Sequence, residues 1–130
     1  MQKKEVLYSR FYVHYNQSSG ELEALLLNIL GGQKKYSTVK IGGISISVMR
    51  NDDYDETKIT DINDGFLSYR YTFEIGQDTT EPNQKIFSQV PGKMLTYFWD
   101  NNIPAVACYE FEEDLPERGG YLSPNVPRPK

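Results

Sequence analysis

Hydrophobic residues recur at every second position in several stretches of the chain, and this period predicts β-strands. The alternation is strict at 44–49, where one face consists of isoleucine and valine, and it returns at 66–75. Residues 5–15 carry aromatic and β-branched side chains on both faces, which predicts a central strand. A fourth, buried strand is predicted at 103–111, where a small apolar run turns into a series of carboxylates.

Two further stretches repeat hydrophobic residues with the spacing of a helix. Ser18 and Glu21 have the form of a capping box before the first, and Gly31 follows its last leucine, so a helix is predicted between them. The second stretch, 82–100, starts with a proline, which suits the first turn of a helix. Pro91 falls in its middle, which predicts a kink or a division into two short helices.

The order strand, helix, strand, strand, helix, strand predicts an α+β domain with the ferredoxin-like βαββαβ arrangement. Right-handed crossovers then give a four-stranded antiparallel sheet in the order 4-1-3-2, with both helices on one face. The other face is expected to stay open to a partner or to a second copy, through Val6, Tyr8 and Tyr12. The domain is predicted to span 1–114, and residues 115–130 form a proline-rich tail that is either disordered or extended over the body.

Composition narrows the possible function. With 38% hydrophobic residues among 130, the chain has enough apolar material for one core. A net charge of -4 argues against a nucleic-acid binder, because binding to phosphates depends on clustered Lys and Arg. No apolar run is long enough for a membrane span, and the residues after Met1 do not have the form of a signal peptide. The single cysteine, Cys108, cannot form an internal disulfide, and together these features predict a cytoplasmic protein.

The acidic residues are concentrated in two segments, with six in 51–65 and five in 110–117, and only Lys58 opposes them there. Their negative potential would steer a basic partner, and neighbouring tyrosines would supply buried anchors. The alternative is a solvated surface that only keeps the protein soluble. In the predicted topology the two segments leave opposite ends of the sheet, so a merged patch needs one of them to fold back. The predicted partner-binding residues are Asp52, Asp53, Tyr54, Asp55, Glu56, Tyr109, Glu112, Glu113 and Asp114.

The residue types that carry catalysis or metal binding do not form a recognised set, so no enzymatic activity, cofactor or metal is predicted. Asn51, Asp53 and Asp55 have the spacing of calcium ligands, but the loop lacks the glycine and the final carboxylate of an EF-hand. His14 and Cys108 would lie on neighbouring strands and could form a nucleophile pair, although a buried cysteine is usually a small hydrophobic residue. The paired glycines match no phosphate-binding loop.

Residues 105–121, which run from the last strand through two consecutive glycines, resemble the ending of a group of small bacterial proteins. In size, acidity and tyrosine content, the whole chain is similar to the immunity proteins of bacterial polymorphic toxin and contact-dependent inhibition systems. This resemblance implies a monomer that neutralises a cognate toxin, and the acidic segments suggest a basic nuclease domain whose active site they would occlude. The alternative is a ferredoxin-like domain that binds a small ligand or acts in regulation as a homodimer.

Overall fold

The computed structural model describes residues 8–41, 43–61, 63–77, 84–109 and 115–129. Six strands and two α-helices follow one another along them: β1 Tyr8–Val13, α1 Ser19–Leu30, β2 Gln33–Lys35, β3 Thr38–Ile41, β4 Ile44–Arg50, β5 Tyr71–Gln77, α2 Gln84–Asp100 and β6 Ala105–Tyr109. Among these residues, a short 3-10 helix lies at Gly65–Ser68, and Pro116–Gly120 forms a tight turn in which Glu117, Arg118 and Gly119 have positive φ. The prediction of an α+β fold is confirmed. Within the described ranges, no helix is long and apolar enough to cross a membrane.

The six strands form one antiparallel sheet in the order β2-β3-β4-β5-β1-β6. The prediction of a four-stranded sheet is wrong, because the polar segment after α1 adds a hairpin of β2 and β3. Gln33 pairs with Lys40 and Lys35 with Thr38 across this hairpin, and Tyr36 lies in its turn with a φ of 55°. Every residue of β2 is exposed, so this strand has no hydrophobic alternation from which the sequence could predict it.

The third predicted strand starts later than its alternation suggests, at Tyr71. The residues before it form the 3-10 helix Gly65–Ser68. The side-chain amide of Asn51 donates to the carbonyl oxygens of Leu67 and Tyr69 at 2.8 and 2.7 Å. Because Asn51 binds these carbonyls in place of a neighbouring strand, pairing in the sheet begins only after them.

Both helices pack on one face of the sheet and against each other. Ser18 caps α1 as predicted, since its hydroxyl oxygen accepts from Glu21 N at 3.3 Å, and Gly31 follows the helix with a φ of 75°. α2 runs as one helix through Pro91, so a division into two short helices does not occur. The core between the helices and the sheet contains Phe11, Val13, Leu22, Leu26, Val39, Ile44, Ile46, Val48, Tyr71, Phe73, Ile75, Val90, Met94, Leu95, Phe98, Ala105, Ala107 and Leu115.

The opposite face of the sheet is partly covered by the connection 51–70 between β4 and β5. The rings of Tyr12 and Phe66 meet edge to face, with centroids 5.3 Å apart. Tyr12, one of the three residues predicted to form the open face, is therefore partly covered, while Val6 and the side chain of Tyr8 lie outside the described residues. The second, smaller apolar cluster formed in this way contains Tyr12, Ile59, Phe66, Tyr69 and Val106.

The part of this face that the connection leaves uncovered is polar. Arg10 and Glu74 lie opposite each other on β1 and β5, and their Nη2 and Oε1 atoms form an ion pair at 2.7 Å. The hydroxyl groups of Thr38 and Ser47 meet at 3.4 Å further along the sheet. Among the described residues, the open part of the sheet therefore offers charged and hydroxyl groups instead of the aromatic surface that the sequence predicted.

The described residues 115–129 pack against α2 and β6. Leu115 and Val126 are buried, and Nη2 of Arg128 donates to the carbonyl oxygens of Gly120 and Ser123 at 3.2 and 3.1 Å. Buried apolar side chains and hydrogen bonds therefore hold the described part of this segment in place.

Candidate functional site

The connection 51–70 has a fixed shape because its first side chain is buried and hydrogen-bonded. Asn51 is 7% exposed. While its Nδ2 donates to the carbonyl oxygens of Leu67 and Tyr69, its Oδ1 accepts from Asp53 N at 3.1 Å. One side chain thus ties the beginning of the connection to its end.

Two carboxylates of the connection are bound to its own backbone. Oδ1 of Asp55 accepts from the hydroxyl and the N–H of Thr57 at 2.6 and 3.0 Å. Oδ1 of Asp61 accepts from the N–H groups of Asp64 and Asn63 at 3.1 and 2.8 Å. The Thr57 hydroxyl is the largest cause that lowers the pKa of Asp55, and the N–H of Asp64 has this effect on the pKa of Asp61. Both acids stay charged at neutral pH and stabilise the turns around them.

The structure brings five of the nine predicted partner-binding residues together in the first turns of the connection. Asp52, Asp53 and Glu56 are exposed there, and Tyr54 and Asp55 are partly exposed. The other four fall outside the described residues, which include neither the side chain of Tyr109 nor Glu112, Glu113 and Asp114. The exposed carboxylates of the connection, termed the acidic surface, belong to Asp52, Asp53, Glu56, Asp61 and Asp64.

Tyr54 links the acidic surface to the sheet. Its ring lies against His14, with centroids 6.1 Å apart, and its hydroxyl interacts with the carboxylate of Glu56. Burial, followed by the negative charge of Glu56, raises the pKa of Tyr54. The phenol therefore keeps its proton at neutral pH, and the carboxylate of Glu56 lies close enough to act on both Tyr54 and His14.

A cleft of about 590 Å³, termed the His14 cleft, opens where the chain leaves β1. The N–H of His14 donates to Pro104 O at 2.9 Å and so continues the pairing of β1 with β6. The volume lies in the range of roughly 300–1,000 Å³ that is typical of sites for small ligands. Residues from distant parts of the chain line the cleft, among them His14, Glu56, Ile59, Asn102, Ile103 and Arg128.

His14 lies between aromatic rings at the edge of this cleft. The ring centroid of Tyr69 is 5.6 Å from that of His14. The ring of Tyr54, from the same connection, is the second aromatic neighbour of His14. Among the described residues, the buried Nδ1 of His14 has no hydrogen-bond partner. Burial is the main cause that lowers the pKa of His14, the charge of Arg70 lowers it further, and the charge of Glu56 opposes both. The imidazole is therefore uncharged at neutral pH.

His14 and Cys108 do not form a nucleophile pair. Cys108 lies opposite Arg10 in the pairing of β1 with β6, whereas His14 follows Val13 at the other end of β1. At the usual rise per residue of a strand, the two side chains are separated by roughly 13 Å. This distance is far beyond hydrogen-bond reach, so the histidine cannot activate the thiol.

Arg128 borders the cleft from the C-terminal segment. Its guanidinium donates to the carbonyl oxygens of Gly120 and Ser123 and interacts with the hydroxyl of Tyr69. Burial raises the pKa of Tyr69, and the positive charge of Arg128 counteracts this effect. The C-terminal segment and the connection 51–70 therefore meet at a polar contact beside His14.

A second groove, of about 570 Å³, lies within the connection itself. Thr57, Asp61, Asp64 and Leu67 are among its lining residues, and Leu67 is 41% exposed. In the described part of the chain, no three His, Cys, Asp or Glu residues are grouped so that they could hold a metal ion. The groove therefore belongs to the acidic surface as a concave region with an apolar residue in its wall.

Comparison of the chain with protein-family models, with curated proteins and with solved structures finds no match. The sequence alone did not identify Asn51 as the residue that holds the connection. It also did not identify Tyr69, Arg70 and Arg128 as neighbours of His14. No short motif contains them, since the fold alone brings these residues together.

Proposed function

We propose that this protein binds and neutralises a cognate antibacterial toxin in the cytoplasm, as an immunity protein does. In this proposal the acidic surface covers a basic site on the toxin, such as the active site of a nuclease domain. The carboxylates would take positions that the phosphates of a nucleic acid otherwise occupy.

The observation that carries the proposal is the fixed arrangement of the acidic surface. Asn51 ties the connection together, and the turns at Asp55 and Asp61 are closed by their own carboxylates. A preorganised surface loses little conformational entropy when it binds a partner. A stretch of negative charge that served only for solubility would not need such an arrangement.

The charge of the connection also favours a basic partner. Lys58 and Arg70 are its only basic residues, and Lys58 lies 3.8 Å from the carboxylate of Asp55. Exposed charge of one sign raises the association rate with an oppositely charged protein, and this effect weakens as salt increases. Tyr54 and Leu67 supply partly exposed apolar area beside the carboxylates, which is typical of the centre of an interface.

We also propose that the fold is a ferredoxin-like arrangement extended by the hairpin of β2 and β3. The order β4-β5-β1-β6 within the sheet supports this relationship, because these strands follow the four predicted from the sequence. The packing of α1 and α2 on one face agrees with it. The added hairpin lies at the edge of the sheet beyond β4, at the far side from β6.

The experiment is capture of the partner with the tagged full chain from its native host, at low and high salt, followed by mass spectrometry. The expected partner is a basic protein that is toxic when expressed alone and harmless when co-expressed with this chain. The variant Asp52→Lys with Asp53→Lys is expected to lose protection and to bind with a lower association rate. The same protection and affinity as the wild-type chain would refute the assignment.

A matched control separates position from net charge. Glu21→Lys with Asp100→Lys changes the net charge by the same amount, at exposed positions on the two helices. These helices pack on the face of the sheet opposite to the connection 51–70. The control variant is expected to protect as well as the wild-type chain does.

Binding of a small ligand is the second candidate function, and the His14 cleft is the observation that favours it. For the form of this hypothesis in which two copies pair through an open aromatic sheet face, the described residues offer little aromatic surface. Tyr12 is packed against Phe66, and the neighbouring ion pair of Arg10 with Glu74 makes the uncovered part of the face polar. A monomer in solution that saturates with a small molecule would support this function over the first.

A further inference from the structure

Glu56 and Arg128 bring opposite charges to the His14 cleft from distant parts of the chain. Among the described residues, neither has an oppositely charged partner within ion-pair distance. The carboxylate of Glu56 interacts with the hydroxyl of Tyr54 and can accept hydrogen bonds from further donors. The cleft therefore contains an anion and a cation that are not paired with each other.

The guanidinium of Arg128 is held in place and still has donors to spare. Nη2 donates to the carbonyl oxygens of Gly120 and Ser123, and the guanidinium also interacts with the neutral hydroxyl of Tyr69. A guanidinium has five N–H donors in a planar fork. The neutral groups that fix its position do not offset its charge, so an anion in the cleft would find a preorganised partner.

We propose that the His14 cleft binds a small zwitterionic molecule, one that carries both a carboxylate and an ammonium group, such as an amino acid. The carboxylate of the ligand accepts hydrogen bonds from Arg128, and its ammonium group donates to Glu56. The hydrocarbon part of the ligand lies against Ile59 and Ile103 in the wall of the cleft. This site is additional to the proposed binding of a toxin and does not depend on it.

A zwitterion fits the cleft better than a ligand with a single charge. A simple anion would displace water from Glu56 without giving its carboxylate a donor, and a simple cation would do the same to Arg128. Removing water from a charged group without replacing its hydrogen bonds costs binding free energy. A ligand with both charges gives each group a partner, and hydrogen bonds between charged groups are the strongest that such a site can offer.

The experiment compares leucine with two analogues that each lack one charge. N-Acetylleucine has no ammonium group, and leucinamide has no carboxylate. Binding is measured by NMR titration. Since the chain contains one histidine, the imidazole signal can be assigned to His14 directly, and its shift reports on occupancy of the cleft. Leucine is expected to give a saturable shift, and each analogue is expected to bind about tenfold more weakly or worse, as is usual when a charged hydrogen-bonding group is lost.

Two variants assign each charge of the ligand to its partner. Glu56→Gln is expected to reduce the affinity for leucine to about that for N-acetylleucine, and to leave the affinity for N-acetylleucine nearly unchanged. Arg128→Gln is expected to reduce the affinity for leucine to about that for leucinamide. Glu21→Gln, which removes an exposed charge outside both the cleft and the acidic surface, is the control and is expected to bind all three compounds as the wild-type chain does.

Three outcomes would overturn the proposal. Leucine could fail to give a saturable shift, the three compounds could bind equally, or Glu56→Gln could weaken leucine and N-acetylleucine by the same factor. Because Arg128 also holds the C-terminal segment, the folding of Arg128→Gln is checked by the fluorescence of Trp99. If that variant is unfolded, Glu56→Gln decides the question alone, since Glu56 is exposed and its replacement leaves the backbone unchanged.

Discussion

A Cβ atom on Gly120 would lie 2.8 Å from Cζ2 of Trp99. The indole of Trp99 is fixed at this place because its Nε1 donates to Ala105 O at 3.0 Å. Gly120 also has a φ of 91°, which L-residues with a side chain rarely adopt. The path of the C-terminal segment over α2 and β6 therefore depends on the absence of a side chain at position 120.

The variant Gly120→Ala is expected to lower the free energy of unfolding by about 1–3 kcal/mol, because the added methyl group overlaps the indole and the backbone is strained. Urea unfolding followed by the emission of Trp99, the single tryptophan, measures this change. Gly76→Ala is the matched control, since its Cβ would have no neighbour within 4 Å. Equal stability of the two variants would show that the contact with Trp99 is not tight.

The side chain of Asn51 is expected to hold the connection 51–70 in its folded form. In Asn51→Ala, the carbonyl oxygens of Leu67 and Tyr69 lose their donor, and each buried group left without a partner costs about 1–3 kcal/mol. The expected loss of stability is about 2–3 kcal/mol, because some of these groups will reach water. Denaturant unfolding checks the value, and hydrogen exchange of the connection shows whether the loss is local.

A matched control for Asn51 is available within the same connection. The side chain of Asn63 is exposed and makes no hydrogen bond to the described residues, so Asn63→Ala is expected to change stability by less than about 0.5 kcal/mol. If Asn51→Ala were equally mild, the three hydrogen bonds of the Asn51 side chain would not determine the shape of the connection.

The sequence predicted those elements whose signal is local. α1 could be predicted because its hydroxyl cap, Ser18, and its terminal glycine, Gly31, lie beside the residues that they cap. β2 could not, since an exposed edge strand has neither an apolar face nor an alternation. The 3-10 helix Gly65–Ser68 lies where the sequence predicted the start of a strand. There the side chain of Asn51, which is distant in sequence, donates hydrogen bonds to the carbonyl oxygens of Leu67 and Tyr69.

The candidate sites differ in the same way. The acidic surface is visible in the sequence because its carboxylates follow one another in one connection. The His14 cleft is not visible in the sequence, because Glu56 and Arg128 are distant from His14 along the chain and only the fold brings the three residues together. Tyr12 shows the reverse case, in which an aromatic residue of an apparently open sheet face is covered by a loop of mixed composition.

The ion pair of Glu23 with Lys34 attaches the polar hairpin to α1. Oε1 of Glu23 lies 2.8 Å from Nζ of Lys34, and the glutamate side chain is only 8% exposed. Lys34→Met is expected to lower the free energy of unfolding by about 1–3 kcal/mol, since it leaves a buried charge without a partner. The second substitution Glu23→Met in the same chain is expected to restore most of this loss. A double-mutant cycle of urea unfolding measures the coupling free energy between Glu23 and Lys34. Additive effects of the two substitutions would contradict the ion pair.

The burial of His14 is expected to make the protein less stable in mild acid. Its pKa in the folded protein lies below the ordinary value of 6.5 because burial disfavours the charged ring; Arg70 adds to this effect and Glu56 opposes it. Between these two pKa values the unfolded chain binds more protons than the folded one, so the free energy of unfolding falls as the pH drops through this window. The loss ends once the pH is below the folded pKa, where both states are protonated.

His14→Phe tests this dependence, because a phenyl ring can occupy the space between Tyr54 and Tyr69 and has no proton to exchange. Between about pH 7.5 and pH 5.5, the wild-type chain is expected to lose stability, and the variant is expected to lose less. Urea unfolding at several pH values measures both slopes, and NMR titration of the imidazole gives the folded pKa directly. Asp55 and Asp61 do not interfere, since their lowered pKa values place their effect at more acidic pH. Equal slopes, or a folded pKa at or above 6.5, would mean that the ring is hydrated and that Nδ1 has a partner in water.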